Sequence, residues 1–244
     1  MTLNDYGVAV ADTAATSPCY AVPLSDGGPI DPSVCIPLGT QPDPSEDGHL
    51  TVLDAINGRE TDFWQAVFDP TSQRIVGASS AASFPLGFWT ECTGGCWGGD
   101  AANLPLAEGL VTPAEIQAGV INHPLVFSSP QIGAGSPRYP ATHNNATTTL
   151  SGHLVEGTWL RIDPAVSCGS YGLPSWQVTI CVALQQYGMF LRDSGGSLAV
   201  YGETPINQGG ASAWSALGLS GDSAPFSSAF PWSRLQVLQP PPAG

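Results

Sequence analysis

Apolar and polar positions alternate most clearly between residues 50 and 78. Leu50-Thr-Val-Leu-Asp54 runs into Asn57-Gly58, and Arg59-Glu-Thr-Asp-Phe-Trp-Gln-Ala-Val-Phe68 follows. Asn-Gly between two such runs is a strong short-range hairpin signal. A second turn, Asp69-Pro-Thr-Ser-Gln73, leads into Arg74-Ile-Val-Gly-Ala78, which predicts a three-stranded meander. The period changes further on. Thr112-Pro-Ala-Glu115 is a capping box with proline at the first helical position, and Gly119 is a stop, so a short helix is predicted near 113–118. Trp176, Ile180, Cys181, Leu184 and Tyr187 recur at helical spacing before Gly188, and predict a second helix near 175–187. Short strands are predicted at 124–128 and 158–163. Met189-Phe-Leu-Arg-Asp193, the turn Ser194-Gly-Gly196 and Ser197-Leu-Ala-Val-Tyr201 read as another hairpin.

Many short strands separated by Gly and Pro predict a β-sandwich or jelly roll, here with two short helices packed on it. Residues 1–48 are turn-rich and read as an irregular arm on the core. Residues 49–239 form the sandwich domain, and 240–244 a Pro-rich tail that is a terminus or a linker to another module. The stretch 79–104, rich in Ser, Gly and Ala, reads as a long loop of the kind that often serves function.

Composition narrows the function classes. Of 244 residues, 42% are hydrophobic and 11% are charged; six Lys+Arg stand against 20 carboxylates, for a net charge of -14. All six cations are arginines. Such a chain lacks the basic footprint that nucleic acid or an anionic membrane requires. No apolar run reaches the length of a membrane span, and Met1-Thr-Leu-Asn-Asp5 has no signal-peptide pattern. The six cysteines fall into local pairs, Cys19 with Cys35, Cys92 with Cys96 and Cys168 with Cys181. Three disulfides are the simplest reading among fifteen connectivities, and imply an oxidising, extracellular setting. Buried thiols are the alternative; the spacing of Cys92 and Cys96 does not suit zinc.

Candidate chemistry centres on the second meander strand. Glu60, Asp62 and Trp64 stand two apart, hence on one face, with same-face Cα atoms roughly 6.5–7 Å apart. Two carboxyls there either come within the ~5–5.5 Å used by retaining glycosidases or tilt further apart. Their repulsion raises one pKa and leaves the other low, which separates an acid from a base. Trp64 offers a flat face for a sugar ring, and Trp97 of the 79–104 loop a second. Phe63 and Val67 point to the core. The plainer account is a wet sheet face bearing two acids and a Trp. Of the histidines, His123 is placed to orient or protonate, and His49 and His143 to bind substrate, although a lone His is more often a hydrogen-bonded structural residue. Asp193 is explained by its turn, with a site role as the alternative. No G-x-S-x-G elbow, phosphate loop, dinucleotide fingerprint or zinc-hydrolase motif occurs, so neither cofactor nor metal is called for.

The succession Asp47-Gly-His49, Glu60-Thr-Asp-Phe-Trp-Gln65, Gly109-Leu-Val-Thr-Pro-Ala-Glu-Ile-Gln-Ala-Gly-Val-Ile-Asn-His123, Pro140-Ala-Thr-His143 and Ala183-Leu-Gln-Gln-Tyr-Gly-Met189 with Asp193-Ser-Gly-Gly196 resembles a group of secreted proteins common in actinobacteria and related soil bacteria. The resemblance spans residues 45–196. It implies secretion and a jelly-roll-like domain associated with polysaccharides, and it carries no catalytic residues over. The expectation is a secreted glycoside hydrolase working on a polysaccharide in an open groove. The alternatives are a polysaccharide lyase, disfavoured by the acidic charge, and a non-catalytic carbohydrate-binding or self-assembling structural protein. The sequence leaves the oligomeric state open.

Overall fold

The computed structural model describes residues 1–26, 33–87 and 99–239. In chain order the strands are β1 (Val8–Asp12), β2 (Cys19–Tyr20), β3 (Val34–Cys35), β4 (Leu50–Asp54), β5 (Arg59–Trp64), β6 (Val67–Asp69), β7 (Arg74–Gly77), β8 (Ser80–Pro85), β9 (Leu125–Ser129), β10 (Trp159–Ile162), β11 (Met189–Ser194), β12 (Ala199–Val200), β13 (Glu203–Thr204) and β14 (Leu235–Leu238). Helices α1 (Pro113–Ala118), α2 (Ser175–Gln186) and α3 (Ser212–Ser215) accompany them. The protein is mainly β.

Two five-stranded sheets carry the fold, ordered β13-β1-β4-β5-β8 and β12-β9-β11-β10-β14. Both are mixed. β1 runs parallel to β4 and to β13, and β9 runs parallel to β11, whereas a jelly roll is built from antiparallel strands. The N-terminal stretch expected to be irregular thus supplies β1, a strand inside the first sheet. Only β2 and β3, cross-linked by the Cys19–Cys35 disulfide, behave as an arm. The meander is also rearranged. β5 stops at Trp64, where Gln65 takes a left-handed φ of 53°, and β6 pairs with β7 as a separate ribbon. The neighbour of β5 is β8, from the stretch read as loop; its Ala and Ser residues fit a strand buried on both faces. Likewise β12 pairs with β9 instead of hairpinning onto β11. Both predicted helices form. Thr112 caps α1 through the capping box, with Gly119 in the left-handed region at its end.

Alternation along each strand sorts side chains into three cores. Ala9, Ala11, Leu50, Val52 and Phe63 leave the first sheet on its outer face, where Val22, Val34, Ile36 and Ile75 of the arm and ribbon cover them. Leu125, Phe127, Leu160, Met189 and Leu191 leave the second sheet toward Trp176, Ile180 and Leu184 of α2. The inner faces meet through Val8, Val10, Val126 and Phe190, with Leu104, Leu106 and Leu110 of the 99–110 segment inserted between them. Glu60, Asp62 and Trp64 belong to this inner face.

The Cys168–Cys181 disulfide ties the turn at 168–171 to α2 across a sequence separation of 13, and the separation of Cys19 and Cys35 is 16. Loops of this size restrict the unfolded chain by about 3 kcal/mol each. Reduction is therefore expected to lower the melting temperature by roughly 10–20 °C, read by differential scanning calorimetry with and without reductant. Cys92, Cys96 and Trp97 lie outside the described residues.

Candidate active cleft

Glu60 and Asp62 do share one face, but it is not a wet one. Their exposures are 1% and 0%. The Thr51 hydroxyl, from the adjacent β4, donates to Asp62 Oδ1 at 2.6 Å and lies 3.2 Å from Glu60 Oε1. The backbone N–H groups of Leu106 and Ala107 donate to Asp62 Oδ2 and Glu60 Oε1, each at 2.8 Å. Burial, and then the Glu60 carboxyl beside it, pushes the Asp62 carboxyl well above the usual range. A Cβ on Gly99 would stand 2.9 Å from Asp62 Cβ and 2.6 Å from Leu106 Cδ1, so the covering segment presses directly on the pair. No substrate reaches these oxygens; the pair anchors the 99–108 segment.

Arg192 holds that segment from the opposite sheet. It leaves β11 on the inner face with 1% exposure. Its guanidinium donates to the carbonyls of Pro105, Leu106 and Glu108, and Nε stands 2.7 Å from Asp100 Oδ2. Asp100 Oδ1 accepts the Leu104 N–H at 2.9 Å. Burial lifts the Asp100 carboxyl to about 7 against the pull of Arg192. Buried polar groups are costly unless partnered, and here carboxyls, guanidinium and backbone partner one another across the two sheets.

At the mouth of the inter-sheet space, where β5 and β11 end and β8 begins, a cleft of about 560 Å³ opens. Trp64, Asp47, Asp100, Asp193 and Asn145 line it. Trp64 and Asp193 are half-buried. The Asp193 carboxylate accepts its neighbour's Ser194 N–H at 2.6 Å, and the Ala101 N–H also pulls its pKa down. Burial outweighs those donors, the Asp47 charge adds to it, and together they push Asp193 up to about 6. Behind the wall, Glu156 is fully buried and pushed by burial to about 8; its Oε2 accepts the Asn145 N–H at 3.1 Å.

The remaining expected residues separate. Trp64 reaches the cleft. His143 Nδ1 pairs with the Ala101 carbonyl at 2.8 Å and so braces the wall from behind. His49, two residues after Asp47, is buried, and burial lowers its pKa, aided by the Arg192 charge. It does not face substrate. His123 is occupied elsewhere: Nε2 lies 2.7 Å from Glu115 Oε1 and Nδ1 2.8 Å from the Pro124 carbonyl. Burial would lower its pKa, but those hydrogen bonds and the Glu115 and Glu108 charges win and raise it. With both nitrogens taken it clamps α1 to β9 and is not free to orient or protonate substrate. The cleft's carboxylates are Asp26, Asp47, Asp100 and Asp193; the first three sit in turns or loops and Asp193 at the end of β11, scattered along the chain with no shared motif to group them in the sequence.

Among the described residues, no group of three or more His, Cys, Asp or Glu is placed to hold a metal ion, and no helix is long and apolar enough to cross a membrane. Comparison with protein-family models, curated proteins and solved structures gives no match for this chain.

Proposed function

We propose that this protein is a secreted glycoside hydrolase whose reacting groups line the cleft at the sheet ends. The observation that carries the reading is the grouping of Trp64, Asp47 and Asp193 around one concave site, with Asp193 set at about 6. A carboxyl that keeps its proton into mildly acid solution suits a general acid, and a charged neighbour suits its partner. Asp193 donates its proton to the glycosidic oxygen as the bond from that oxygen to the anomeric carbon breaks. Asp47 stabilises the positive charge on the sugar and takes a proton from the water whose oxygen adds to the anomeric carbon. Trp64 stacks under the ring, and Asn145 supplies an amide for its hydroxyls. The two disulfides among the described residues are in keeping with an extracellular setting, and kinship with the secreted actinobacterial proteins remains part of this proposal.

A lyase acting on a uronate needs a cation beside the substrate carboxylate. No Arg appears among the residues that line the cleft, and the buried Arg192 is committed to Asp100 and three carbonyls. Neutral or amino sugars fit this acidic wall better.

Asp193→Asn removes the donated proton and keeps the shape. Release of reducing ends from the glycan that the parent cleaves is expected to fall at least about a hundredfold, with the melting temperature nearly unchanged. Parent activity is expected to decline above pH about 6, as Asp193 ionises. Full activity in Asp193→Asn refutes the assignment.

A further inference from the structure

A second cleft, of about 840 Å³, lies beside the first and shares Asp47 and Ser194 with it. Each volume is that of a site for a small ligand of a few rings. Tyr6, Phe226 and Trp232 line the second cleft. Tyr6 is 50% exposed, although it is a large aromatic. Its backbone holds a left-handed φ of 53°, fixed by the buried Asp43, whose carboxylate accepts the Tyr6 and Gly7 N–H groups at 3.2 Å each and the Thr204 hydroxyl at 2.6 Å. Such a conformation persists only where surrounding structure determines it. Phe226 and Trp232 are half-buried and meet edge to face at 4.9 Å between centroids, so their rings are held rigidly too. Between the aromatic groups the wall is the Ser194–Ala199 turn. A Cβ at Gly195 would stand 2.7 Å from Ser128 Oγ, which keeps the backbone bare at that position.

We propose that the second cleft continues the first, forming one groove for a linear glycan that runs from Trp64 past Asp47 to Tyr6 and Trp232. Flat apolar rings interrupted by hydroxyls and bare peptide groups match sugar units, which present a carbon–hydrogen face and a polar rim. The proposal rests on the glycan reading of the first cleft. The groove gives the protein a preference for long chains, with the bond cleaved inside the chain and not at its end.

Short and long oligosaccharides of the cello-, xylo-, manno- and chito-series, titrated by calorimetry, test it. The parent is expected to bind the long members of one series at least about tenfold more tightly than the short ones. Tyr6→Gly, which removes the ring and relieves the left-handed backbone, and Trp232→Leu are each expected to erase about tenfold of that gain while leaving short-chain binding unchanged. Trp64→Ala weakens both. If short and long members bind equally, or Tyr6→Gly and Trp232→Leu keep the full length dependence, the continuous groove is overturned while the first cleft's reading stands. If the parent binds no member of any series, both fall together. Thermal melts of the two variants confirm that a lost gain is not a lost fold.

Discussion

Arg192→Met is expected to lower the melting temperature by on the order of 10 °C. The substitution keeps much of the side chain's volume and removes its charge. Asp100 is then left buried without its cation, and the carbonyls of Pro105, Leu106 and Glu108 lose their donor. Breaking a buried pair from one side costs about 3–5 kcal/mol, and in a chain of this size each kcal/mol moves the midpoint by about 2–4 °C. The cleft suffers with the fold, because Asp100 and Ala101 are its wall. The double variant Arg192→Met with Asp100→Leu no longer buries a lone charge, and is expected to recover part of the loss. A single variant that melts within a degree or two of the parent shows that Arg192 does not hold the 99–108 segment.

The second large effect concerns pH. Burial raises the carboxyls of Asp62, Asp100, Asp193, Glu156 and Glu203, the last four to about 7, 6, 8 and 7. In the unfolded chain these groups titrate near their ordinary values of about 4. Between pH 4 and 8 the folded protein therefore binds more protons than the unfolded one, and stability falls as pH rises. For a buried group such as Glu156 or Asp100, a shift of this size corresponds to at most about 5 kcal/mol. Two bases oppose the trend: burial lowers both the Met1 amine, to about 5, and His49, so their stability is lost as pH falls. The His123–Glu115 pair favours the acid side of neutrality, since His123 is raised and Glu115, despite its burial, is lowered by the histidine. The carboxyls outnumber the bases. Calorimetric melts across this range are expected to show the highest midpoint near pH 4–5 and a steady decline to pH 8. A midpoint that climbs toward pH 8 contradicts the assignment of these groups as buried acids.

The same burial separates what the chain reveals in one dimension from what it conceals. Helices α1 and α2 were legible because capping and a 3.6-residue period are local signals. β4 and β5 were legible from Asn57-Gly58. β1 and β8 were not, because strands rich in Ala, Val and Ser and buried on both faces carry no alternation of apolar and polar residues. The common face of Glu60 and Asp62 followed from strand geometry. Its depth did not, since the cover comes from residues 99–108 and is pinned by Arg192, more than 80 residues further along. Polar side chains on a strand normally mark the solvent side, and β5 departs from that because Thr51 and two backbone N–H groups satisfy its acids inside the protein. Of the expected site, Trp64 arrives at the cleft, while the acids beside it come from turns and from the end of β11, with no local pattern that groups them.

The glycan reading places the chemistry at Asp193 and the scaffold at Glu60, and one labelling measurement separates them. The parent, Asp193→Asn and Glu60→Gln are each incubated with plant and microbial polysaccharides in heavy-oxygen water, below the melting point of all three, and products are read by mass spectrometry. The account predicts oligosaccharides from the parent that carry one heavy oxygen at the new reducing end, none from a folded Asp193→Asn, and continued release by Glu60→Gln at a lowered melting temperature. Unlabelled, unsaturated products, release by Asp193→Asn at the parent's rate, or no product from any polysaccharide would contradict it.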